Sequence, residues 1–454
     1  MNLNKINTIY FLGIGGIGMS ALARFFQSKK KNVFGYDKTP SQLTDELMAE
    51  GMNIHFEENI QLLPENVDVV IYTPAIPANN KEYQWFIENK IPMMKRSEIL
   101  GILSDSFKTI AIAGTHGKTT TSTLTAHLLK QSSLDCTAFL GGIAKNYQTN
   151  LLLSDKSNLL VAEADEFDRS FLHLHPHSAI ITSADADHLD IYKNKNQLQL
   201  AFVQFASQVK PKGNLIIKKG VNLNLNPDNQ SILYSYSLEN GADFFPENIQ
   251  IQNGLYTFDF VTPDKVMKNM KLGLPGLFNV ENAIAALAVA YLNGVNEQEL
   301  RTGLGSFLGV KRRFDFRINN PGMIYIDDYA HHPAELKACI TSARHLFPGK
   351  KISGIFQPHL YSRTRDFADE FALSLDLLDE IILLPIYPAR ELPIKGIDSE
   401  MLLRKIKNPN KTLLSKNQLV DELIKNTKLE VLLTLGAGDI DRLVPIIEET
   451  LKNR

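Results

Sequence analysis

The sequence predicts an α/β protein made of three successive units, each built around a mostly parallel sheet. Short apolar, β-rich runs alternate with helical lengths along the chain, which is the pattern of strands joined by crossover helices. The pattern starts at residue 8, restarts near Lys108 and restarts again near Lys311. A length of 454 residues also suits about three domains. The boundaries are placed near 106 and 310, giving units 1–106, 107–310 and 311–454.

In the first unit, Thr8–Leu12 reads as a strand and leads into Gly13-Ile-Gly15-Gly16-Ile-Gly18. Met19, Leu22, Ala23 and Phe26 then mark one apolar helix face. Residues 32–36 and 67–72 read as further strands, the latter closed off by Pro74 and Pro77. In the second unit, strands are expected at 109–113, 158–162 and 178–182. Residues 213–275, rich in Asn with short β-like pieces, read as a meandering antiparallel insert before a helix at 279–293. In the third unit, strands are expected at 323–326, 351–356, 380–384 and 429–434, and Pro333 suits the opening of a helix.

Composition narrows the function classes. Hydrophobic residues make up 44% and charged residues 22%, which excludes disorder as the main state. The net charge of −2 leaves no basic excess for counterion-driven binding, so nucleic acid is not expected as a partner. Two distant cysteines, Cys136 and Cys339, make no disulfide framework and suit a reducing cytoplasm. No signal-peptide core and no membrane-spanning run is read, so no membrane insertion is expected.

Two glycine-rich turns carry the chemistry. The first follows a strand and opens a helix, so Gly15, Gly16, Ile17 and Gly18 can bring backbone N–H groups to a diphosphate. Asp37 ends the next strand, where a ribose hydroxyl would lie. The second, Gly114-Thr115-His116-Gly117-Lys118-Thr119-Thr120, resembles a P-loop whose usual first glycine is replaced by Ile112. Its backbone can cradle phosphates, Lys118 can reach their outer oxygens, and the Thr119 hydroxyl can hold Mg²⁺. Glu163 and His188 follow core strands and point to the same crevice, although histidine is an unusual ligand for so hard an ion.

Other clusters are more open. His173, His175 and His177 alternate, but Pro176 interrupts them, which favours a polar loop over a zinc site. Asn279 and Asn282 read as helix-start residues, a position where Asn commonly caps. Lys311-Arg312-Arg313-Phe314 is either an exposed basic turn or a clamp on a moving phosphoryl group. Asp327-Asp328-Tyr329-Ala-His331-His332-Pro333 is dense in acids and imidazoles. Arg363 and Arg365, after the 351–356 strand, suit a carboxylate.

Gly13-Ile-Gly-Gly-Ile-Gly18, Gly114-Thr-His-Gly-Lys-Thr-Thr, Glu163-Ala-Asp-Glu, Asp187-His-Leu-Asp, Asn279-x-x-Asn282-Ala, Arg312-Arg-Phe and Asp327-Asp-Tyr-Ala-His-His-Pro occur in order. As an ordered set they resemble the Mur ligase family, end to end. The resemblance implies a Rossmann-like N-terminal domain for a UDP-sugar, a central P-loop ATPase-type domain and a Rossmann-like C-terminal domain for the amino acid. It implies ATP-dependent joining of L-alanine to the lactyl carboxylate of UDP-N-acetylmuramic acid through an acyl phosphate, in peptidoglycan precursor synthesis.

By resemblance, Lys118 holds the γ-phosphate, and Thr119, Glu163 and His188 serve Mg²⁺. Asn279 and Asn282 approach the adenine, Arg313 and Asp328 contact the nucleotide, and His331 and Arg363 serve the amino acid and the reacting carboxylate. Lys118, Arg313 and His331 are the catalytic candidates. Relatives that add later residues carry a modified lysine about fifteen positions after the metal-binding histidine. Position 203 here is Val, which agrees with the alanine-adding branch. Leu360 stands where some members have Arg. A monomer or weak homodimer is expected. The rivals are a sister ligase that attaches a recycled tripeptide, a nicotinamide oxidoreductase and a non-catalytic nucleotide-binding scaffold.

Overall fold

The computed structural model describes residues 3–453 apart from 186–188, 193, 226–229, 253, 390 and 426–427. The chain divides into two compact units. One comprises Met1–Gln250, Thr257–Gly273 and Glu281–Leu308, and the other comprises Ile251–Tyr256, Leu274–Val280 and Gly309–Arg454.

The first unit holds two parallel-rich sheets. Strands β1 (Thr8–Leu12), β2 (Asn32–Tyr36), β3 (Asn53–His55), β4 (Val69–Tyr72) and β5 (Met93–Lys95) form a sheet of order β3-β2-β1-β4-β5. The central strand β1 has neighbours reached in opposite directions, so the turn that follows it sits at a topological switch point. The helix after it, Ile17–Ser28, buries Met19, Leu22, Ala23 and Phe26, the face expected from their spacing.

Strands β6 (Lys108–Ala113), β7 (Thr137–Ala144), β8 (Thr149–Leu152), β9 (Leu159–Ala164), β10 (Ser178–Ile181), β11 (Asn214–Lys218) and β12 (Ile232–Tyr236) form the second sheet, of order β12-β11-β10-β6-β9-β7-β8. Here the reading of 213–275 as an antiparallel insert needs correction. Strands β11 and β12 pair in parallel with their neighbours and extend the main sheet. Exposed residues at the start of β12 hid a sheet-edge strand. Only the following strands, β13 (Phe245–Gln252), β14 (Leu255–Val261) and β15 (Val266–Lys271), form a separate small sheet, with β14 and β15 antiparallel.

The two large sheets are joined tightly. Arg24, on the helix Ile17–Ser28, donates to Asn150 of β8 at 2.6 Å, and the Asn150 amide donates to the Ile17 carbonyl at 2.6 Å and to Ser20 Oγ at 2.8 Å. One apolar core runs through both sheets, with Phe25 against Phe139 at 5.5 Å between ring centroids.

The second unit carries β16 (Asp315–Asn320), β17 (Met323–Asp328), β18 (Ile352–Phe356), β19 (Glu380–Leu383), β20 (Lys411–Leu413) and β21 (Val431–Leu435), in the order β16-β17-β21-β18-β19-β20. All pairs are parallel except β16 with β17. The helix Pro333–Leu346 opens on Pro333 as expected. Among the described residues, no helix is long and apolar enough to cross a membrane.

Candidate functional site

In the first unit, sheet register brings three separate segments together. Strand β6 pairs Ile112 with Glu163 of β9 and Ala113 with Ile181 of β10. The loop after β6 is therefore flanked by Glu163 on one side and by Thr182 and Ser183 on the other. Gly114 has φ +136°, and a Cβ there would lie 2.0 Å from Thr182 Oγ1, so the close approach requires glycine. Gly117 is left-handed, with φ +81°, and turns the chain into the helix Lys118–Lys130. Ser183 Oγ accepts from the His116 N–H at 2.8 Å and contacts Thr115 Oγ1 at 2.9 Å. The loop is thus shaped by its own sheet, and the helix N-terminus behind it presents free N–H groups.

Lys118 Nζ donates to the Gly114 carbonyl at 2.6 Å and lies 2.8 Å from the buried carboxylate of Glu166. Burial opposes its charge, but Glu166, Asp165 and Glu163 outweigh this and hold its pKa above the ordinary lysine value. Thr119 Oγ1 donates to Glu163 Oε1 at 3.2 Å. Their hydroxyl and carboxylate oxygens are the donor types a hard divalent cation takes. His188 lies outside the described residues. Among those described, no group of three or more His, Cys, Asp or Glu side chains is placed to hold a metal, and this includes His173, His175 and His177.

Glu163 also faces a second space. A cavity of about 240 Å³ is lined by Gly16, Ile17 and Gly18 of the first turn, by Arg96 and Ser97, and by Gly141, Glu163 and Asp165 of the second sheet. Gly141 makes room there, since a Cβ on it would lie 2.1 Å from Glu163 Oε2. Asp37 Oδ2 accepts from the Gly15 N–H at 2.8 Å, so this carboxylate braces the first turn. Asn282 faces the loop: its Oδ1 accepts from Thr121 at 3.3 Å and would meet a Cβ at Gly117 at 2.7 Å.

Asn282 and Asn279 are not caps. Gly276, at φ +95°, lets the chain turn early, so the helix runs Leu277–Leu292 and both residues lie inside it. Asn279 Nδ2 donates to the Pro275 carbonyl at 2.7 Å.

In the second unit, β17 and β18 flank β21, and their C-terminal loops emerge on one sheet edge. The 311–314 segment is a half-buried turn rather than an exposed one. Arg312 donates to Asp327 at 3.2 Å and to the Gly436 carbonyl at 2.7 Å. The Arg312 and Arg313 guanidinium groups lie 5.1 Å and 4.9 Å from the centre of the Tyr329 ring. Asp328 accepts from the Phe314 N–H at 2.6 Å and the Ala330 N–H at 2.7 Å. Burial raises its pKa to about 6, against the opposing pull of Arg313 and these hydrogen bonds. His331 Nδ1 lies 3.0 Å from the Tyr329 carbonyl and 3.3 Å from Glu335. Its ring is 6.1 Å from that of His359, which stacks on Tyr387 at 5.8 Å. Arg363 is buried on the short helix Tyr361–Asp366. Leu360, just before it, has φ 71°.

Sequence reasoning passed over Thr182, Ser183, Arg96 and His359 as site residues. Thr182 and Ser183 follow a core strand just as Glu163 ends one, and that placement was the available signal. Arg96 follows a three-residue strand with no pattern of its own.

Three family models match the chain: the Mur ligase family catalytic domain over 8–108, the Mur ligase middle domain over 112–290, and the Mur ligase glutamate ligase domain over 312–438. The chain belongs to the Mur ligase family. This Mur ligase is 51% identical to a UDP-N-acetylmuramate–L-alanine ligase of Parabacteroides distasonis, over 99% of this chain and 98% of that protein. It is 49% identical to the enzyme of the same name from Flavobacterium johnsoniae, over 99% of each. Among solved structures it is similar to a UDP-N-acetylmuramate–alanine ligase of Thermotoga maritima, with a TM-score of 0.82 and 27% identity over 98% of this chain and 99% of that one.

Proposed function

We propose that this Mur ligase joins L-alanine to the lactyl carboxylate of UDP-N-acetylmuramic acid, with ATP going to ADP and phosphate. One observation carries the reading beyond the relatives' names. Glu163 touches Thr119 of the phosphate loop and also lines the cavity that begins at Gly16–Gly18. A sugar nucleotide anchored at the first turn would present its acid toward the residues that hold ATP. The functional division follows units 1–106, 107–310 and 311–454, supported by the ranges of the three family models.

A carboxylate is a poor electrophile, and transfer of a phosphoryl group to it forms an acyl phosphate. The loop Gly114–Thr120 cradles the donor phosphates, and Lys118, poised by Glu166, moves onto the γ-phosphate. Arg313 disperses charge on the transferring group, Asp328 contacts the nucleotide, and Asn279 and Asn282 serve the adenine. Mg²⁺ would be held by Thr119 and Glu163, with His188 as third candidate, and would neutralise phosphate charge when bound. His331 positions the attacking amine, which must lose a proton, and Arg363 holds the amino-acid or reacting carboxylate. The cytoplasm, where ATP and the sugar nucleotide are available, is the proposed location.

The test is phosphate release from ATP with Mg²⁺ and UDP-N-acetylmuramic acid, with L-alanine or the tripeptide added in parallel and the product weighed. Alanine-dependent release with a product heavier by one alanyl residue is expected. Release with the tripeptide alone would move the protein to the recycling branch, and release with neither would overturn the reading.

A further inference from the structure

We infer that Arg96 is a positioning residue for the diphosphate of the sugar nucleotide, an inference that rests on the substrate reading above. Arg96 opens the helix Arg96–Asp105 directly after β5 and lines the same cavity as Gly16, Ile17 and Gly18. A Cβ on Gly18 would lie 3.0 Å from both Cδ and Nη1 of Arg96. The guanidinium therefore rests against the glycine turn, and the absent side chain at position 18 makes the approach possible.

The neighbouring cations are already engaged. Lys95 Nζ pairs with Asp168 at 2.7 Å, and the Arg169 guanidinium lies 5.6 Å from the centre of the Tyr192 ring. Arg96 differs: its guanidinium makes no hydrogen bond or ion pair among the described residues. A half-buried guanidinium has five donors and no acceptor of its own, so the part of the cavity between Arg96 and the glycine turn suits an anion, while Glu163 and Asp165 line the same cavity with the opposite charge. The facing helix Ile17–Ser28 has no acidic residue in its first turn and no side-chain cap at Gly16. The planar fork of Arg96 matches two phosphoryl oxygens, while the backbone of the glycine turn takes the others. A carboxylate could fill the same fork. Its place opposite the turn favours the diphosphate, and UDP, which lacks the sugar acid, separates the two.

The full-length protein and its Arg96→Ala and Arg96→Lys variants would be titrated with UDP by calorimetry and assayed with UDP-N-acetylmuramic acid, ATP and L-alanine. Arg96→Ala is expected to weaken UDP about 10–100-fold, the size of a lost charge-assisted pair. The KM for the sugar nucleotide should rise by the same factor, with kcat within about threefold and the KM values for ATP and L-alanine unchanged. Arg96→Lys should recover part of the loss, which a merely structural role would not give. Unchanged UDP affinity in an Arg96→Ala protein of wild-type melting temperature overturns the inference. A raised KM with unchanged UDP affinity also overturns it and assigns the guanidinium to the carboxylate. Failure of the substrate reading would look different, as a wild-type protein with no alanine-dependent turnover. If that protein still binds UDP, calorimetry of the variants decides the role of Arg96, and if it does not, the inference is overturned with the reading.

Discussion

Lys118 Nζ lies 2.8 Å from the carboxylate of Glu166, which is fully buried, so the lysine of the Gly114–Thr120 loop rests on an internal anion. The Tyr192 hydroxyl donates to the Glu166 carbonyl at 2.5 Å and fixes that segment. The lysine is thereby kept charged beside the loop. Lys118→Ala should lower alanine-dependent phosphate release by at least about 10³-fold, the scale of a charge contact made to a moving phosphoryl group. UDP-sugar affinity should stay within about threefold, because the first glycine turn belongs to a different sheet. Loss of both in a folded variant would contradict separate subsites.

Gly114 and Gly220 separate two costs of adding a methyl group. Both have positive φ, at +136° and +92°. At Gly114 the new Cβ meets Thr182 Oγ1 at 2.0 Å, whereas at Gly220 nothing lies within 4 Å. Gly220→Ala should cost about 1 kcal/mol from backbone strain and leave turnover unchanged. Gly114→Ala adds overpacking, for about 3 kcal/mol or more in all, and should remove ATP binding. Urea unfolding and nucleotide titration of the pair check this, and equal stability of the two variants would refute the steric account.

Asp168 and Arg169 are consecutive non-glycine residues in left-handed conformation, with φ 52° and 55°. The loop that carries them contributes Phe167 and Ser170 to the cavity. Its ion pair with Lys95 is partly exposed and contributes less than about 1 kcal/mol. Asp168→Gly loses that pair but relieves strain, so it should unfold close to wild type. Asp168→Ala loses the pair and keeps the strain, and should be less stable than wild type by the value of the pair, up to about 1 kcal/mol, and less stable than Asp168→Gly. If the two variants unfold at the same urea concentration, strain at this loop is not a significant term.

Much of this architecture was legible because its signals are local. Strands β1 and β6 carry apolar runs, and the two glycine turns carry their chemistry within a few residues. What was missed depends on pairing. Strands β3 and β5 are three residues long and half-exposed, and they exist because β2 and β4 offer them an edge. Strand β12 starts with exposed Ile232 and Leu233, so its membership of a parallel sheet has no periodic signature. The site follows the same rule. Lys118 and Thr119 are adjacent in sequence, whereas Glu163, Ser183 and Asn282 reach the loop only through the strand order and helix packing of the folded sheet. Asn282 was picked out, but its place inside a helix was not, because the turn at Gly276 sets the helix start.

His127 and Asp328 should give the two compact units opposite responses to acid. His127 is buried between Tyr147 OH at 2.8 Å and Ser306 Oγ at 3.0 Å, and burial lowers its pKa from 6.5 to about 4. The unfolded chain binds this proton more readily, so the stability contribution is present above pH 6.5 and lost as pH falls toward 4, about 3 kcal/mol in full. Asp328 has the opposite sign. Burial raises its pKa from 3.8 to about 6, so the folded state binds its proton more readily. Its contribution is present below about pH 4 and is lost as pH rises toward 6, again about 3 kcal/mol. The residues lie in different units, and the single tryptophan, Trp85, lies in the unit of His127. Tryptophan fluorescence during urea unfolding therefore follows the first unit, while circular dichroism follows both. On going from pH 7 to 4.5, His127→Gln should flatten the fall of the fluorescence midpoint, and Asp328→Asn should remove a rise in the midpoint of the dichroism transition that fluorescence does not report. A fluorescence midpoint whose pH dependence is the same with and without His127 would show that its buried neutral state is not linked to folding.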